Sequence, residues 1–475
     1  MNPETISLLR MEILLVIQIF VLIILDLFAS ERVKSRYDLI ALLMFCITTV
    51  VGFIPHTSGE AFGGMYSSGK LDPVLKSILN IGVILIFLQS RTWLNDFFTK
   101  HKKGEAYILM LSTLLGMYLM ISAGHFLIFY IGLELASLPL GALVAFNKKY
   151  RGSAEAGAKF ILMSAFSAGI LLFGISLIYG SSGADGLYFT SVGAILSPGP
   201  MELVGMLFFL AGMAFKISLV PFHQWAPDVY QGAPVNITAY LSSISKGAAV
   251  FALTLVLFKV FGPLARYWEY VVYGLIIATI TIGNLFAMRQ QNIKRFLAYS
   301  SISQAGYIML GTLSGSPEGM TAAVYYVAVY IMSNLGAFTI ISVVGNITQK
   351  FQISDYNGFY KTNPKLSVAM MFFLFSLAGI PPFAGFFSKF FVFMAAAAES
   401  YYILVFIALI NTVISLYYYL LIVKAMFISS NEEPIEKIDT DSWSKAALVI
   451  TLFATIFIGI LSSVYGYIGN HSTGI

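Results

Sequence analysis

The 475-residue chain has a single cysteine, Cys46, and only 11% charged residues. One cysteine excludes a structural disulfide, a cysteine-ligated iron–sulfur cluster and a cysteine-type zinc site. So few charges cannot build a water-facing surface, since soluble domains carry about 25%. With 58% apolar residues and a mean hydropathy of +0.83, lipid must cover much of the molecule. A soluble enzyme and a nucleic-acid reader are excluded on these grounds. Any redox chemistry tied to this chain must take place in other subunits.

Long apolar runs are what the sequence has in abundance. Fourteen of them approach the length of a membrane helix: 6–29, 38–55, 73–90, 105–121, 123–146, 154–179, 201–221, 234–261, 267–288, 296–313, 321–346, 366–398, 401–423 and 444–466. They are too long for outer-membrane barrel strands, which need about 10 alternating residues each. The expected fold is therefore an all-α integral membrane protein of about 14 transmembrane helices. The first run carries Arg10 and Glu12 and no small-residue cleavage site follows it, so it reads as a retained helix. Basic residues sort to alternate loops. One set holds clusters within 32–36, 91–103, 148–151, 289–295, 350–365 and 424–445, and the other holds only Lys70 and Arg266. The positive-inside rule then puts both termini on the outer face, periplasmic in a bacterial inner membrane.

A few charges fall inside the runs. Arg10, Asp26, Lys76, Glu155, Lys159 and Lys259 lie near enough to helix ends to snorkel. Glu134 in the fifth run, Lys216 in the seventh, Lys246 in the eighth and Lys389 in the twelfth cannot easily do so. Each central charge costs roughly 2.5–3.5 kcal/mol on insertion scales. One acid facing three lysines exceeds what helix packing needs. Groups that must titrate explain the excess better, because removal from water disfavours the charged form.

Two runs are interrupted by proline with a shared pattern, Ser218-Leu219-Val220-Pro221-Phe222 and Gly379-Ile380-Pro381-Pro382-Phe383, each close to a buried lysine. Proline frees backbone carbonyls, tolerable in a membrane only against protein or trapped water. Runs four to eight form one five-helix unit and runs nine to thirteen another, with the broken helix fourth in each. Five is odd, so the second unit is inverted, and paired interruptions of this kind point to an ion site. The expected organisation is residues 1–103 as three N-terminal helices, 104–263 and 264–428 as the two inverted repeats, and 429–475 as a loop and last helix. Small residues flank Lys246 (Ser242, Ser243, Ser245, Gly247), giving either hydroxyls for water wires or a packing seam. His223, after the first break, is either a proton relay or a headgroup anchor alongside Trp225 and Tyr230. His56, His101, His125 and His471 make no metal-ligand constellation. The run SSGADG (181–186) follows no strand and lacks the lysine of a phosphate loop.

The segments SAGHFLIFYIGLELASLPLGAL, SAEAGAKFILMSAFSAGILLFG, FKISLVPFHQWAPDVYQGAPVNITAYLSSISKGAAVF, NIKRFLAYSSISQAGYIMLG and LAGIPPFAGFFSKFFVF, in this order, resemble the antiporter-like membrane subunits of respiratory complex I. The resemblance covers roughly residues 104–428. Residues past 466 leave no room for the lateral helix of the L-type subunit, and Lys389 stands where the M-type usually has glutamate. Gly141 departs from the family, which carries a bulkier residue there.

The resemblance implies roles. Glu134 would pair with Lys216 and modulate its proton affinity, Lys246 would be the central relay, and Lys389 the terminal group. Lys159, Asp228 and His223 are candidate relays. It further implies proton translocation coupled to electron transfer in partner subunits holding NADH, FMN, iron–sulfur clusters and quinone, with no cofactor or metal in this chain. The partners would be the neighbouring M-type subunit, the small membrane subunits and, through them, the peripheral redox arm. The alternative is a subunit of a multisubunit sodium/proton antiporter.

Overall fold

The computed structural model describes residues 3–54, 58–96, 99–148, 150–183 and 187–472. His56, Lys149 and the end of the SSGADG run lie outside the described residues. All fourteen apolar runs are helical. Eleven helices among the described residues are long and apolar enough to cross a membrane. The second run is a shorter helix, Tyr37–Gly52, and the twelfth is two halves, Pro364–Ala378 and Ala384–Ala398. The tenth, Ile293–Leu313, is the least apolar because of its Ser300-Ser301-Ile302-Ser303-Gln304 stretch. That stretch never meets lipid: every residue of this helix except Arg295 is buried. Asn292 caps its start, its side chain accepting from the Lys294 and Arg295 amides.

The eleventh helix, Pro317–Thr348, is enclosed by protein along its apolar stretch. The eighth, Val235–Lys259, is nearly so, and together with the tenth these helices form the inner layer. The first, sixth, thirteenth and fourteenth spans form the outer layer, with Phe20, Phe166, Phe406 and Phe453 facing outward. A two-stranded antiparallel hairpin, Gly59–Ala61 with Tyr66–Ser68, joins the second and third spans.

Both proline breaks end their first half in the same way. After Pro200–Ile217, Ser218 takes a left-handed conformation (φ 66°), and the Leu219 amide reaches back to the Ala214 carbonyl at 2.8 Å. After Pro364–Ala378, Gly379 does the same (φ 87°), and the Ile380 amide reaches the Phe375 carbonyl at 3.0 Å. These are matching Schellman ends, which satisfy carbonyls that a continuous helix would have paired.

The sequence reading missed a third break. The fifth span is two helices, Phe126–Leu135 and Leu138–Val144, with Pro139 at the start of the second. Proline has no amide to offer the preceding turn, so the backbone opens at Ala136-Ser137. Gly141 follows from packing: a Cβ there would lie 2.4 Å from Ile161 Cγ1 of the sixth span. A larger residue there requires the Ile161 side chain to shift.

Candidate functional site

Lys216, Lys246 and Lys389 are all buried, at 7%, 2% and 3% exposure. Lys216 ends the first half of the seventh span and reaches into the break of the fifth. Its ammonium lies 2.5 Å from Ser137 Oγ and 3.5 Å from the Ala136 carbonyl. Lys246 follows a π-helical turn, Leu241–Ser245, in the eighth span. It donates to Ser301 Oγ at 2.9 Å and to the Ser301 carbonyl at 3.1 Å, beneath the Tyr230 ring. Asn334 of the eleventh span holds that π turn by donating to Ser242 and Ser243 at 2.8 and 2.7 Å. Lys389 turns back from the twelfth span's second half onto the last carbonyl of its first, Ala378, at 2.9 Å, over the Tyr307 ring.

Among the described residues, all three lysines hydrogen-bond only to neutral groups. A buried ammonium without a counter-charge is costly, so each can exist protonated or neutral with its hydrogen bonding kept. The serine hydroxyls suit this, since Ser137 and Ser301 can accept from an ammonium or donate to an amine.

Between Lys246 and Lys389 the tenth span supplies a polar chain. Ser300 shares a 2.5 Å hydrogen bond with Tyr419, Gln304 donates to Tyr419 at 3.1 Å, and Tyr326 donates to Gln304 Oε1 at 2.6 Å. Gln304 also donates to the Leu377 carbonyl, next to the one that holds Lys389.

The expected Glu134–Lys216 pair is not formed. Among the described residues Glu134 takes part in no ion pair, and its side chain is half-buried on the fifth span's outer side with exposed Leu127, Ile131 and Leu138. Lys216 instead bonds the Ser137 hydroxyl and the Ala136 carbonyl at the break. Lys159 and Asp228 do meet, at 2.9 Å, in a half-exposed cluster that adds Glu155 (2.9 Å from Lys159) and Arg295 (2.6 Å from Asp228). His223 lies beyond the first break, half-buried, its Nδ1 without a partner among the described residues. Trp225 and Tyr230 are buried in the core, so they do not make a headgroup anchor with it. Lys294, placed by sequence in a basic loop, is buried and donates to the Ala233 carbonyl at 3.1 Å. Lys76, placed among the snorkelling residues, is buried and ion-paired to Glu12 at 2.5 Å. Ser137, Ser301 and Gln304 were not singled out from sequence, although Pro139 marked the break that exposes Ser137.

A family model described as NADH:quinone oxidoreductase/Mrp antiporter, TM matches residues 123–415. NADH-quinone oxidoreductase subunit N of Phocaeicola vulgatus is 54% identical over 94% of each chain. The same-named subunit of Azobacteroides pseudotrichonymphae genomovar. CFP2 is 50% identical, covering 98% of this chain and 97% of its own. Among solved structures, a chain of respiratory complex I from Thermus thermophilus with bound aureothin superimposes with a TM-score of 0.80 at 28% identity, covering 95% of this chain and 97% of that one. A chain of the Mrp complex from Dietzia sp. DQ12-45-1b shares the fold at a TM-score of 0.86 and 19% identity, covering 100% and 98%.

Proposed function

The chain belongs to the NADH:quinone oxidoreductase/Mrp antiporter membrane-subunit family, and from that membership we propose that it is the proton-translocating subunit N of an NADH–quinone oxidoreductase. NADH oxidation and quinone reduction, with FMN and iron–sulfur clusters, belong to partner subunits. This chain moves protons in an inner membrane, with both termini on the outer, periplasmic face. Residues 104–263 and 264–428 act as inverted repeats, a reading supported by the matching ends of their broken helices.

The observation that carries the reading is the set of lysines enclosed in the interior of the spans, Lys216, Lys246 and Lys389, which among the described residues bond to neutral groups; Lys294, held likewise by a carbonyl, sits at a helix start. Protons enter from the positive face near the Asp228 cluster and His223 and load the lysines. Glu134, on the lateral surface, is where a neighbouring M-type subunit would present or withdraw charge. Its field reaches Lys216 without a direct pair, and the change passes through Lys246 and Ser301 to Gln304 and Lys389. One unit of proton affinity is about 1.4 kcal/mol, against about 2.3 kcal/mol per charge across 100 mV, so modest changes at successive lysines suffice.

Replacing Lys246 by Met in the assembled complex tests this. NADH-driven proton pumping is expected to collapse with coupled electron transfer, and unchanged pumping would reject the central role. The Mrp likeness supports a sodium/proton antiporter only at the level of fold. Purification with flavin- and cluster-bearing partners decides between the two.

A further inference from the structure

The matched family region begins at residue 123, after the fourth span, and the first three spans lie outside both five-helix units without an assigned task. The third span, Asp72–Leu94, sets Asp72, Lys76 and Asn80 four residues apart, along one face and buried. Lys76 donates to Glu12 of the first span at 2.5 Å and to the Tyr66 hydroxyl at 3.0 Å, and Tyr66 donates to the same Glu12 oxygen at 2.9 Å. Tyr118 of the fourth span stands over Lys76 and hydrogen-bonds Asn80.

This polar line has two ends. At one, Asp72 accepts from Ser122 at 3.2 Å and borders a cavity of about 500 Å³, which opens among Glu60, Lys70, Lys259 and His471 on the face read as outer. At the other, the third span closes directly on the π turn that precedes Lys246. A Cβ on Gly82 would lie 2.2 Å from Ile244 Cδ1, and Leu79 packs beside Gly247. Tyr240, just before that turn, shares a 2.6 Å hydrogen bond with Thr113, which is on the same helix as Tyr118.

Among the described residues, three buried polar atoms on this line have no protein partner: Glu12 Oε2, Ser77 Oγ and Asn80 Nδ2. An ion pair built only to fasten helices would close its hydrogen bonds internally. Clustered open positions are where buried water sits. We propose that the first three spans form a hydrated proton outlet from the Lys246 region to the outer face, with Glu12 as the group that takes up and releases the proton. This rests on the pumping role given above. A proton arriving through water on the inner side binds the Glu12 carboxylate. A proton then leaves for water beside Asp72, and the carboxylate is restored opposite Lys76. Charge and atoms balance, with no other reactant.

The test uses the complete enzyme in proteoliposomes. Glu12→Gln, Tyr118→Phe and Lys246→Met are compared for assembly on native gels, protons moved per NADH oxidised, and the solvent deuterium effect on coupled turnover. Glu12→Gln and Tyr118→Phe, once assembled, are expected to lower proton movement about tenfold, below what losing a positioned proton-transfer group can cost, and to enlarge the isotope effect. Wild-type pumping in either assembled variant, while Lys246→Met is defective, overturns the outlet and leaves the pumping role intact. Normal pumping by Lys246→Met rejects the pumping role itself. If Glu12→Gln fails to assemble, Tyr118→Phe decides, since it removes one hydroxyl and no charge. A merely structural seam would change the yield of complex and not the protons moved per NADH.

Discussion

Gln304 and Lys389 occupy consecutive carbonyls at one helix end: the amide of Gln304 donates to Leu377 and the ammonium of Lys389 to Ala378, each at 2.9 Å. The broken half-helix thus joins the polar chain from Lys246 to the last lysine. Because an amide has no proton to give up readily, Gln304 is a positioning residue that holds Tyr326 and Tyr419 in line. Gln304→Leu leaves the Tyr326 hydroxyl and the Leu377 carbonyl unpaired, at about 1–3 kcal/mol for each buried group. Coupled NADH oxidation in membranes should fall about tenfold in the assembled complex, while electron transfer to an artificial acceptor ahead of the membrane arm stays at its normal rate. Equal loss in both assays would assign Gln304 to assembly alone.

Ser137 offers a sharper test of how Lys216 is held. A hydrogen bond to a charged group contributes about 1.5–3 kcal/mol, and the 2.5 Å contact is the shortest that Lys216 makes. Ser137→Ala should reduce pumping about tenfold or more by the same magnitude, and Ser137→Thr should restore most of it. If alanine pumps normally, the lysine must use another partner during turnover. Glu134→Gln then separates field from contact: it should slow turnover with assembly preserved, although no Glu134–Lys216 ion pair is present to be broken.

The spans could be read from sequence because each is an apolar run bounded by charge or glycine, and even the polar tenth span kept enough of that pattern. The two proline breaks were legible for the same local reason. Partners were not. Whether Lys216 meets Glu134 or Ser137 depends on how the fifth span opens at Pro139, which periodicity does not report. Glu12 and Lys76 lie 64 residues apart, and nearness to a helix end made Lys76 look free to snorkel. Only the hairpin that brings Tyr66 over them shows that end to be roofed by protein.

The left-handed residues at the two proline breaks should respond oppositely to substitution. Gly379 has φ 87°, and a Cβ there would lie 2.9 Å from Lys389 Cδ. Gly379→Ala therefore adds about 1–2 kcal/mol of backbone cost and pushes the lysine off the Ala378 carbonyl. Ser218 already bears that cost at φ 66°, and its hydroxyl has no partner among the described residues. Ser218→Gly should be neutral or stabilising by up to about 1 kcal/mol. Thermal inactivation of the purified complex compares the two. A loss of stability in Ser218→Gly would mean that its hydroxyl is used.

Asp441 gives a prediction with a defined pH sign. It caps the last span, Ser442–Ile460, accepting from the Trp443 and Ser444 amides at 3.0 Å each and from Thr92 at 2.9 Å. Arg91, one residue before Thr92, stacks on Trp443, so the cap also fastens the last span to the third. Burial opposes ionisation of Asp441, but the hydrogen bonds from Ser444, Thr92 and Trp443 together outweigh it and hold the carboxyl below its usual range. A carboxyl lowered on folding stabilises fully above the ordinary carboxylate range, and that contribution is lost as pH falls through the folded value. Asp441→Ala should cost about 0.5–2 kcal/mol near neutral pH, read as a lower inactivation temperature of the complex. The gap from wild type should narrow only in acid below the ordinary aspartate range, about pH 4. Asp441→Asn, which keeps a capping oxygen without the charge, should lie between the two and lack the acid dependence. A wild-type-to-alanine gap that stays constant down to strong acid would show that the cap acts by shape and not by its charge.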